Sequence, residues 1–340
     1  MTKVRIGDIA QKSGVSPTTV SRYFNKPELL SESTREVIKD AIKELNYSQD
    51  KLARILVTGN SSLVGIVLPH FHFGFYTELL NQLIKQGKAK GYNFITYTSD
   101  KNSESEISMI NELISYRIKG LILLSHTLSP EEIEKLSVPV IAIERIGGNF
   151  MQINSDNLTG GKLAAELLIK NNCDIFIHIN NDYIEEWPAF KRILGFEFAV
   201  KNHPYETIID QVYYNPYSQE ADIAMTNLLT KLVKKYPDKK IGIFCSNDDI
   251  ANLTLKHCIL NQIPVPGQIE LIGYDNSPIS DSAVYPITSV AQNIPLMAQI
   301  ALEALDNYKA YESIVPAILV EKETTRKERK LGCGEFPRPL

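Results

Sequence analysis

The sequence contains no apolar run of membrane-spanning length. Its longest apolar runs, such as Leu63–Leu68, are far shorter than the ~20 residues that a bilayer-crossing helix needs. The first five residues, Met1 to Arg5, also lack the apolar region of a secretory signal peptide. We therefore expect a soluble protein of the reducing cytoplasm that has no membrane partner.

Cysteine is scarce, and no two cysteines form a C-x-x-C pair. The four stand at positions 173, 245, 258 and 333, and Cys173 and Cys245 lie beside or within apolar runs. This placement favours buried, reduced thiols over disulfides. His70 and His72 have no third ligand at a recognisable spacing. We therefore expect neither a metal site nor a cofactor.

Familiar catalytic motifs are also missing. The sequence has no G-x-S-x-G elbow, no phosphate-cradling loop and no H-E-x-x-H helix. The adjacent acids Asp248 and Asp249 have no obvious partner acid or base. These absences argue against an enzyme.

Charge is distributed unevenly along a chain whose net charge is only -4. Within residues 1–26, five lysines and arginines face Asp8 alone, which gives this segment a charge of +4. A basic head on an acidic body lets the head approach phosphate while the body stays away from it. The length of 340 residues fits two or three domains.

The first 47 residues read as three helices without a strand. An amphipathic stretch from Ile6 to Ser13 is interrupted by Gly14, and Ser16 followed by Pro17 is a favoured helix start. A third helix carries apolar residues at helical spacing. Ser33 has capping-box spacing to Glu36, and Ser31 is an equally good cap.

From Leu63 onward, apolar runs alternate with helical stretches. The runs cover residues 63–68, 93–97, 120–124, 139–143, 175–179, 208–213, 241–245 and 269–274. Such strands, alternating with helices, predict parallel sheets covered on both faces. Eight strands exceed one small sheet, so we expect two α/β lobes.

The predicted second helix has a face suited to the DNA major groove. If it begins at Pro17, Val20 and Phe24 face inward, while the outer faces carry Pro17, Thr18, Ser21, Arg22 and Asn25. Arginine can bond both acceptors of a guanine edge, and Ser or Thr can bond a phosphate or a base. The alternative is a solvated helix of an unrelated helical domain.

This stretch resembles the head of the lactose/galactose repressor family of bacterial transcription regulators. The matching core consists of Val15, Ser16, Thr19, Val20, Ser21, Arg22 and Asn25, with flanking matches at 8–10, 31–35 and 45–47. The resemblance implies that positions 17, 18 and 22 read bases, and that a hinge helix at 52–56 enters the minor groove. The DNA-binding residues it implies are Ser16, Pro17, Thr18, Thr19, Ser21, Arg22, Asn25, Ala53 and Leu56. The alternative for Leu56 is a linker residue that packs on the body.

The resemblance covers residues 4–326 and implies a domain order. A small all-α helix-turn-helix domain precedes an α/β body of two periplasmic-binding-protein-like lobes. The implied segments are a head at 1–47, a hinge at 48–61, one lobe from 62–156 with 293–316, a second lobe from 157–292 with 317–326, and a tail at 327–340.

Ligands of open α/β sheets bind beyond the carboxyl ends of the strands, which is where candidate effector residues fall. Similarity to the family's segments implies Phe75, Tyr76, Glu144, Arg192, Tyr217, Asn247, Asp275 and Gln292. Carboxylates, amides and arginine suit adjacent hydroxyls, and an aromatic ring suits the apolar face of a sugar. Each residue also has a structural alternative: Arg192 could form a surface ion pair, Asp248 could cap a helix, and Tyr217 could simply be exposed.

Two departures from the family pattern leave the effector open. Glu144 stands where aspartate is usual, and an aromatic segment from His70 to Tyr76 replaces the usual S-N-P-F-F loop. We expect a DNA-binding repressor of carbohydrate uptake or catabolism genes, controlled by a small sugar. The alternatives are a nucleobase effector or, from other classes, a sugar-binding protein or an enzyme.

The predicted assembly is a homodimer on operator DNA. Heads of this kind read two-fold symmetric sites. The family's tetramers use a C-terminal leucine heptad, whereas residues 327–340 contain only Leu331 and Leu340.

Overall fold

The computed structural model describes residues 4–47, 61–69, 73–181 and 184–326. The chain forms two compact units, residues 1–60 and 61–340. The hinge residues Ala53 and Leu56, the histidines 70 and 72 and the tail 327–340 lie outside the described residues.

The smaller unit consists of three helices, α1 (Ile6–Ser13), α2 (Pro17–Asn25) and α3 (Glu32–Glu44). Helix α2 begins as expected, because the Ser16 hydroxyl accepts a hydrogen bond from the Thr19 amide at 3.1 Å and Pro17 takes the first helical position. Of the two candidate caps for α3, Ser31 is the one that caps, and its hydroxyl accepts from the Thr34 amide at 3.3 Å.

One residue from each helix forms the centre of this small core. Ile9, Val20 and Ile38 are fully buried, and Ala10 and Ala41 pack beside them. Phe24 was expected to face inward like Val20, but it is only half-buried and lies at the edge of the core, 6.0 Å from the ring of Tyr47. Burial of these side chains on one face leaves the opposite face of α2 exposed.

The larger unit alternates strands and helices. Its first part contains β1 (Leu63–Leu68), α4 (Gly74–Ala89), β2 (Asn93–Thr98), α5 (Ser103–Ser115), β3 (Gly120–Leu123), α6 (Pro130–Glu134), β4 (Val140–Ile143) and β5 (Met151–Ser155). Its second part contains α7 (Asn157–Lys170), β6 (Ile175–Asn180), α8 (Phe190–Val200), β7 (Tyr205–Ile209), α9 (Gln219–Lys235), β8 (Ile241–Cys245), α10 (Asp248–Leu260), β9 (Ile269–Asp275), α11 (Pro278–Ser282), β10 (Thr288–Ala291), α12 (Ile294–Asp306), β11 (Glu312–Val315) and β12 (Ile318–Val320).

The strands form two six-stranded sheets. The first has the order β11-β5-β4-β3-β1-β2 and is parallel throughout, and the second has the order β12-β10-β9-β8-β6-β7 with only β12 antiparallel to its neighbour. Helices cover both faces of each sheet. In β1, Val64, Ile66 and Leu68 pack on one face and Val67 packs on the other, as a doubly covered parallel strand requires. This architecture confirms the predicted fold class.

One predicted strand was misplaced. The run at 208–213 was expected to form a strand, whereas β7 covers 205–209 and a 3-10 turn follows from Gln211 to Tyr214. The turn begins because the Asp210 carboxylate accepts from the Val212 amide at 3.0 Å. The short strands β5, β10, β11 and β12 were not predicted.

The chain changes from one sheet to the other three times, after β5, after β10 and after β11. We propose the lobe boundaries 156/157, 292/293 and 316/317 because strand pairing changes sheets at these points. The carboxyl ends of the central strands of both sheets carry the polar residues that are described next. None of the helices in the described ranges is both long and apolar enough to cross a membrane.

Candidate functional site

The exposed face of α2 carries the residues proposed to contact DNA. Pro17, Thr18, Arg22 and Asn25 are exposed, as is the cap residue Ser16, while Thr19 and Ser21 are partly buried. Thr19 and Ser16 share a hydroxyl–hydroxyl hydrogen bond of 2.8 Å, and the Asn25 amide donates to the Ser21 carbonyl at 2.9 Å. Ser16 and Thr19 therefore support the start of the helix, whereas Thr18 and Arg22 are turned outward.

A cavity of about 590 Å³ lies within the larger unit and is lined by segments of both sheets. Seven of the eight expected effector residues line it, namely Phe75, Tyr76, Glu144, Arg192, Asn247, Asp275 and Gln292. They converge because parallel strands end at the same edge of a sheet. Their contact with an effector stays a prediction.

Tyr217 is the exception and does not line the cavity. Its side chain is 57% exposed, and its hydroxyl donates to the Asp249 carboxylate. The turn from Gln211 to Tyr214 presents Tyr214 to the cavity instead. The resemblance to the family implied Tyr217 at this place, whereas the structure puts Tyr214 at the cavity.

Arg192 is fixed at the centre of the cavity floor. Its Nε donates to Asn157 Oδ1 at 2.7 Å, its Nη1 donates to the Ser246 carbonyl at 2.6 Å, and its guanidinium lies 3.7 Å from the centre of the Tyr274 ring. The guanidinium is also 3.9 Å from both Glu144 and Asp275. Arg192 is thus a buried group with several partners rather than a surface ion pair.

Close packing of two helices sets the position of Arg192. A Cβ atom on Gly161 of α7 would overlap the Arg192 carbonyl oxygen, and one on Gly195 of α8 would overlap the Leu158 carbonyl oxygen. The two glycines therefore permit α8 to lie against α7 with backbones in contact. This contact brings the Arg192 side chain to Asn157 at the start of α7.

Glu144 and Asp275 end strands β4 and β9 with left-handed backbone conformations. Their φ angles are 53° and 102°, and Asn276 follows with 50°. Such angles are strained for residues other than glycine and cluster at functional sites. At Glu144 the conformation is stabilised because its two carboxylate oxygens accept from the Ser155 amide at 2.6 Å and from Asn157 Nδ2 at 2.8 Å.

Gln292 connects Asp275 to the first lobe. Its Nε2 donates to Asp275 Oδ1 at 2.6 Å, and its Oε1 accepts from the Ser155 hydroxyl. Burial raises the pKa of Asp275 to about 7, although Arg192 and the Gln292 hydrogen bond oppose the shift. Because Asp275 Oδ1 accepts from Gln292, the second carboxyl oxygen, Oδ2, is the one that we expect to bind a hydroxyl group of the effector.

The two residues that precede and begin α10 have structural contacts. Asn247 lines the cavity, but its Oδ1 caps the helix by accepting from the Ile250 amide at 2.8 Å. Asp248 is fully buried and accepts from the Ser277 amide at 2.7 Å and the Ser289 hydroxyl at 2.6 Å. Burial raises the pKa of Asp248, which connects α10 to β10 rather than to a ligand.

Two aromatic groups flank the polar floor. On one side Tyr76 stacks at 6.4 Å on Phe73, which in turn lies 6.2 Å from Tyr214. On the other side His126 lies 4.4 Å from the ring of Trp187. Burial lowers the pKa of His126 to about 4, so the neutral ring donates from Nε2 to the Glu144 carbonyl at 2.7 Å.

Several lining residues were missed from the sequence, including His126, Trp187, Tyr214, Lys101 and Asn180. Trp187 is the single tryptophan of the chain, and Asn180 ends strand β6, so both carried a signal that could have been used. His126 and Lys101 follow the carboxyl ends of β3 and β2, so the position of strand ends was a usable signal for them too. No cluster of three metal-binding side chains occurs in the described residues.

Two family models match the chain. Residues 5–50 match the bacterial regulatory proteins of the lacI family, and residues 165–326 match the periplasmic binding protein-like domain. Similar proteins include the sucrose operon repressor of Streptococcus mutans, 31% identical over 88% of this chain and 91% of the relative. The ribose operon repressor of Halalkalibacterium halodurans is 29% identical over 96% and 98%.

Solved structures give the same architecture. The lac repressor dimer bound to operator and the anti-inducer ONPF superposes with a TM-score of 0.79 at 20% identity, covering 95% of this chain and 99% of that chain. A periplasmic binding protein/LacI transcriptional regulator from Alkaliphilus metalliredigens, complexed with D-xylulofuranose, superposes with a TM-score of 0.68 at 25% identity over 78% and 100%. The first likeness, at its low identity, concerns the fold alone.

Proposed function

The chain belongs to the lacI family of bacterial regulatory proteins, and on this premise we propose that it represses genes of carbohydrate uptake or catabolism under the control of a sugar. The resemblance inferred from residues 15–25 is thereby confirmed, and the protein is a DNA-binding transcription regulator. As a bacterial regulator it acts on DNA in the cytoplasm. Its operator affinity is set by a sugar or sugar derivative in the cavity.

One observation carries the proposed effector class. Glu144, Arg192, Asp275 and Gln292 converge on one cavity floor with aromatic groups on both flanks. Carboxylates and guanidinium groups bind adjacent hydroxyls, and aromatic faces cover the apolar face of a sugar ring. Relatives named as sucrose and ribose operon repressors support the same class.

The DNA contacts follow from the exposed face of α2. Bases are read by Arg22, Thr18 and Pro17. The DNA backbone is contacted, or helix α2 is supported, by Ser16, Thr19, Ser21 and Asn25. Ala53 and Leu56 act from the hinge in the minor groove. The molecule works as a homodimer, the state named for the lac repressor, which it resembles in fold.

The sugar alters DNA affinity only through a different affinity for two arrangements of the lobes. The three crossings between the sheets let the lobes move as bodies around the cavity, and the hinge transmits that movement to the heads. Whether the sugar releases DNA or tightens its binding follows from which arrangement it prefers.

A nucleobase effector is the second candidate, and the aromatic flanks favour it. The rings of His126 and Trp187, 4.4 Å apart at their centres, are of a kind that stacks on a purine. The polar floor favours the sugar, since Glu144, Arg192, Asp275 and Gln292 can pair with the several adjacent hydroxyl groups that a sugar carries.

The test has two steps. A thermal-shift screen of the full-length protein with sucrose, ribose, cellobiose, xylulose, adenine and guanosine identifies the class. Operator binding of wild type and Asp275→Ala is then measured with and without the ligand that binds. We expect Asp275→Ala to keep operator binding and to lose the response, because the effector loses the Asp275 carboxyl and the buried Gln292 Nε2 loses its acceptor, at a cost of about 1–3 kcal/mol. A variant that binds the ligand normally and still responds contradicts the assignment of the cavity.

A further inference from the structure

The charges around the cavity also bear on whether the effector carries a phosphate group. Proteins hold phosphate with arginine or lysine and with the free amides of helix N-termini. Five such groups lie at the cavity among the described residues: the side chains of Arg192 and Lys101, and the starts of α4, α8 and α10, which lie at the lining residues Phe73, Ala189 and Asn247.

The Arg192 guanidinium is already engaged. Nε and Nη1 donate to Asn157 and to the Ser246 carbonyl, and its plane lies against Tyr274. The remaining nitrogen, Nη2, is 3.9 Å from a Glu144 carboxylate oxygen. A phosphate on Nη2 would therefore lie against Glu144, and like charges in a buried site repel strongly.

The three helix N-termini are already engaged. The first three amides of α8 donate to the backbone carbonyls of residues 187–189, and carboxylates of this chain lie at the starts of α4 and α10. At α4 the Gly74 amide donates to Asp249 Oδ2 at 3.3 Å. Helix α10 is capped by Asn247 and carries Asp248 and Asp249 in its first turn. Acidic side chains thus lie at the positive ends of the α4 and α10 dipoles, and Asp249 lies at both.

Lys101 is the other lysine or arginine among the described lining residues. It is exposed, and its Nζ lies 3.6 Å from the centre of the Tyr214 ring. No ion pair within the described residues joins Lys101 to Glu144 or Asp275. An exposed ammonium is screened by solvent and offsets little of the repulsion at the floor.

Hydroxyl groups avoid this conflict because they donate as well as accept. A carboxylate can only accept, and so can the oxygens of a doubly ionised phosphate, whereas a sugar hydroxyl can donate to Glu144 or Asp275 and accept from Arg192. We propose that the effector is an uncharged carbohydrate and that the cavity excludes sugar phosphates. This inference rests on the proposed sugar-sensing function.

Matched pairs of ligands test it on the full-length protein. The pairs are glucose and glucose 6-phosphate, sucrose and sucrose 6-phosphate, and ribose and ribose 5-phosphate, at pH 7.5 and equal ionic strength, with calorimetry for each pair that shifts the melting temperature. We expect the uncharged member to bind and its phosphorylated partner to bind at least about tenfold more weakly. A phosphorylated member that binds as tightly as its partner, or more tightly, overturns this inference and leaves sugar sensing standing. Absence of binding by every sugar, charged or not, overturns sugar sensing and this inference with it.

A variant then tests the role of the helix termini. Asp249→Asn keeps an oxygen that can accept from the Gly74 amide and removes the charge. We expect the ratio of uncharged to phosphorylated affinity to fall severalfold in this variant. Glu220→Gln is the matched control, since Glu220 is an exposed acid in the first turn of α9 that does not line the cavity, and its ratio should equal that of wild type. If Asp249→Asn leaves the ratio of uncharged to phosphorylated affinity unchanged, Asp249 does not help to exclude phosphate. If this variant does not fold, the ligand pairs measured on wild type still test the exclusion of phosphate.

Discussion

Asp275 combines burial, a left-handed backbone and a raised pKa at one position. Only 4% of the residue is exposed, its φ angle is 102°, and burial raises its pKa to about 7. Burial disfavours the charged carboxylate and the left-handed φ strains the backbone, while Gln292 and Arg192 oppose the rise of the pKa.

The raised pKa of Asp275 gives a pH-dependent stability. An unfolded aspartate titrates near ~3.9, so between about pH 4 and 7 the folded protein holds a proton that the unfolded chain has released. This site therefore makes the free energy of unfolding increase as the pH falls from above 7 toward 4, and decrease as the pH rises. Since Asp248 titrates together with it, the proton belongs to the pair.

We expect Asp275→Asn to remove that dependence. Calorimetry measures the melting temperature of the variant minus that of wild type at each pH. This difference should be more positive above pH 7 than near pH 5. Asp238→Asn, at an exposed position, is the control and should show a constant difference. An Asp275→Asn difference that does not vary with pH would show that the buried carboxyl is not protonated in this range.

Arg22 offers a test of base reading. Arg22→Ala should weaken operator binding by about 1–3 kcal/mol and relax the preference at one base pair of each half-site, since a paired arginine–guanine contact is lost. Arg22→Lys keeps the charge but not the two-pronged geometry, so it should lose specificity while retaining affinity for random DNA. Equal losses on operator and random DNA in Arg22→Ala would contradict base reading.

At the scale of elements, the start of α4 and the turn after β9 bring the two lobes into contact beside the cavity. Gly74 lies at a close contact, since a Cβ there would lie 2.7 Å from Ser277 Cβ and 2.8 Å from its hydroxyl. The Gly74 amide also reaches Asp249 of the other lobe. The absence of a side chain at Gly74 therefore allows the two lobes to approach closely here, and a larger residue would hold them apart.

Gly74→Ala should separate the lobes at this point. Crowding a packed contact costs about 1–3 kcal/mol, which we expect to appear as weaker effector binding rather than as loss of folding, because the clash lies between lobes. Ser277→Gly removes both clashing atoms, so Gly74→Ala/Ser277→Gly should recover most of the affinity. Calorimetry on the two single variants and the double variant forms a cycle, and additive losses would show that the two positions do not interact.

At the scale of the whole molecule, a basic helical unit is joined to a two-lobed body of opposite net charge. Heads that read two-fold symmetric DNA need two copies at a fixed spacing, and the body is large enough to hold them together.

We therefore predict a homodimer that forms through the body. Light scattering of the full-length protein should give twice the mass of the 38.3 kDa chain at working concentration. A variant that lacks residues 327–340 should also contain two chains per particle. A stable tetramer, or a monomer at the concentration that binds operator, would contradict the prediction.

The fold class and most elements could be predicted from the sequence because they depend on local patterns. A period of 3.6 residues, or Ser16 before Pro17, indicates a helix. A period of 2 residues, or a continuous apolar run, indicates a strand, and all of these patterns extend over only a few residues. Glu144 and Asp275 were candidates because they resemble segments of the family and fall at strand ends, and parallel strands end on one edge of a sheet.

Only the tertiary structure decided which side chains complete the cavity. Tyr214 faces it and Tyr217 does not, because a hydrogen bond from the Val212 amide to Asp210 turns the chain where the apolar pattern continued. His126 meets Trp187 from 61 positions away, and Asp249 reaches the Gly74 amide from 175 positions away. Contacts over such separations follow from how the two sheets pack across the cleft, and no local pattern of residues encodes that packing.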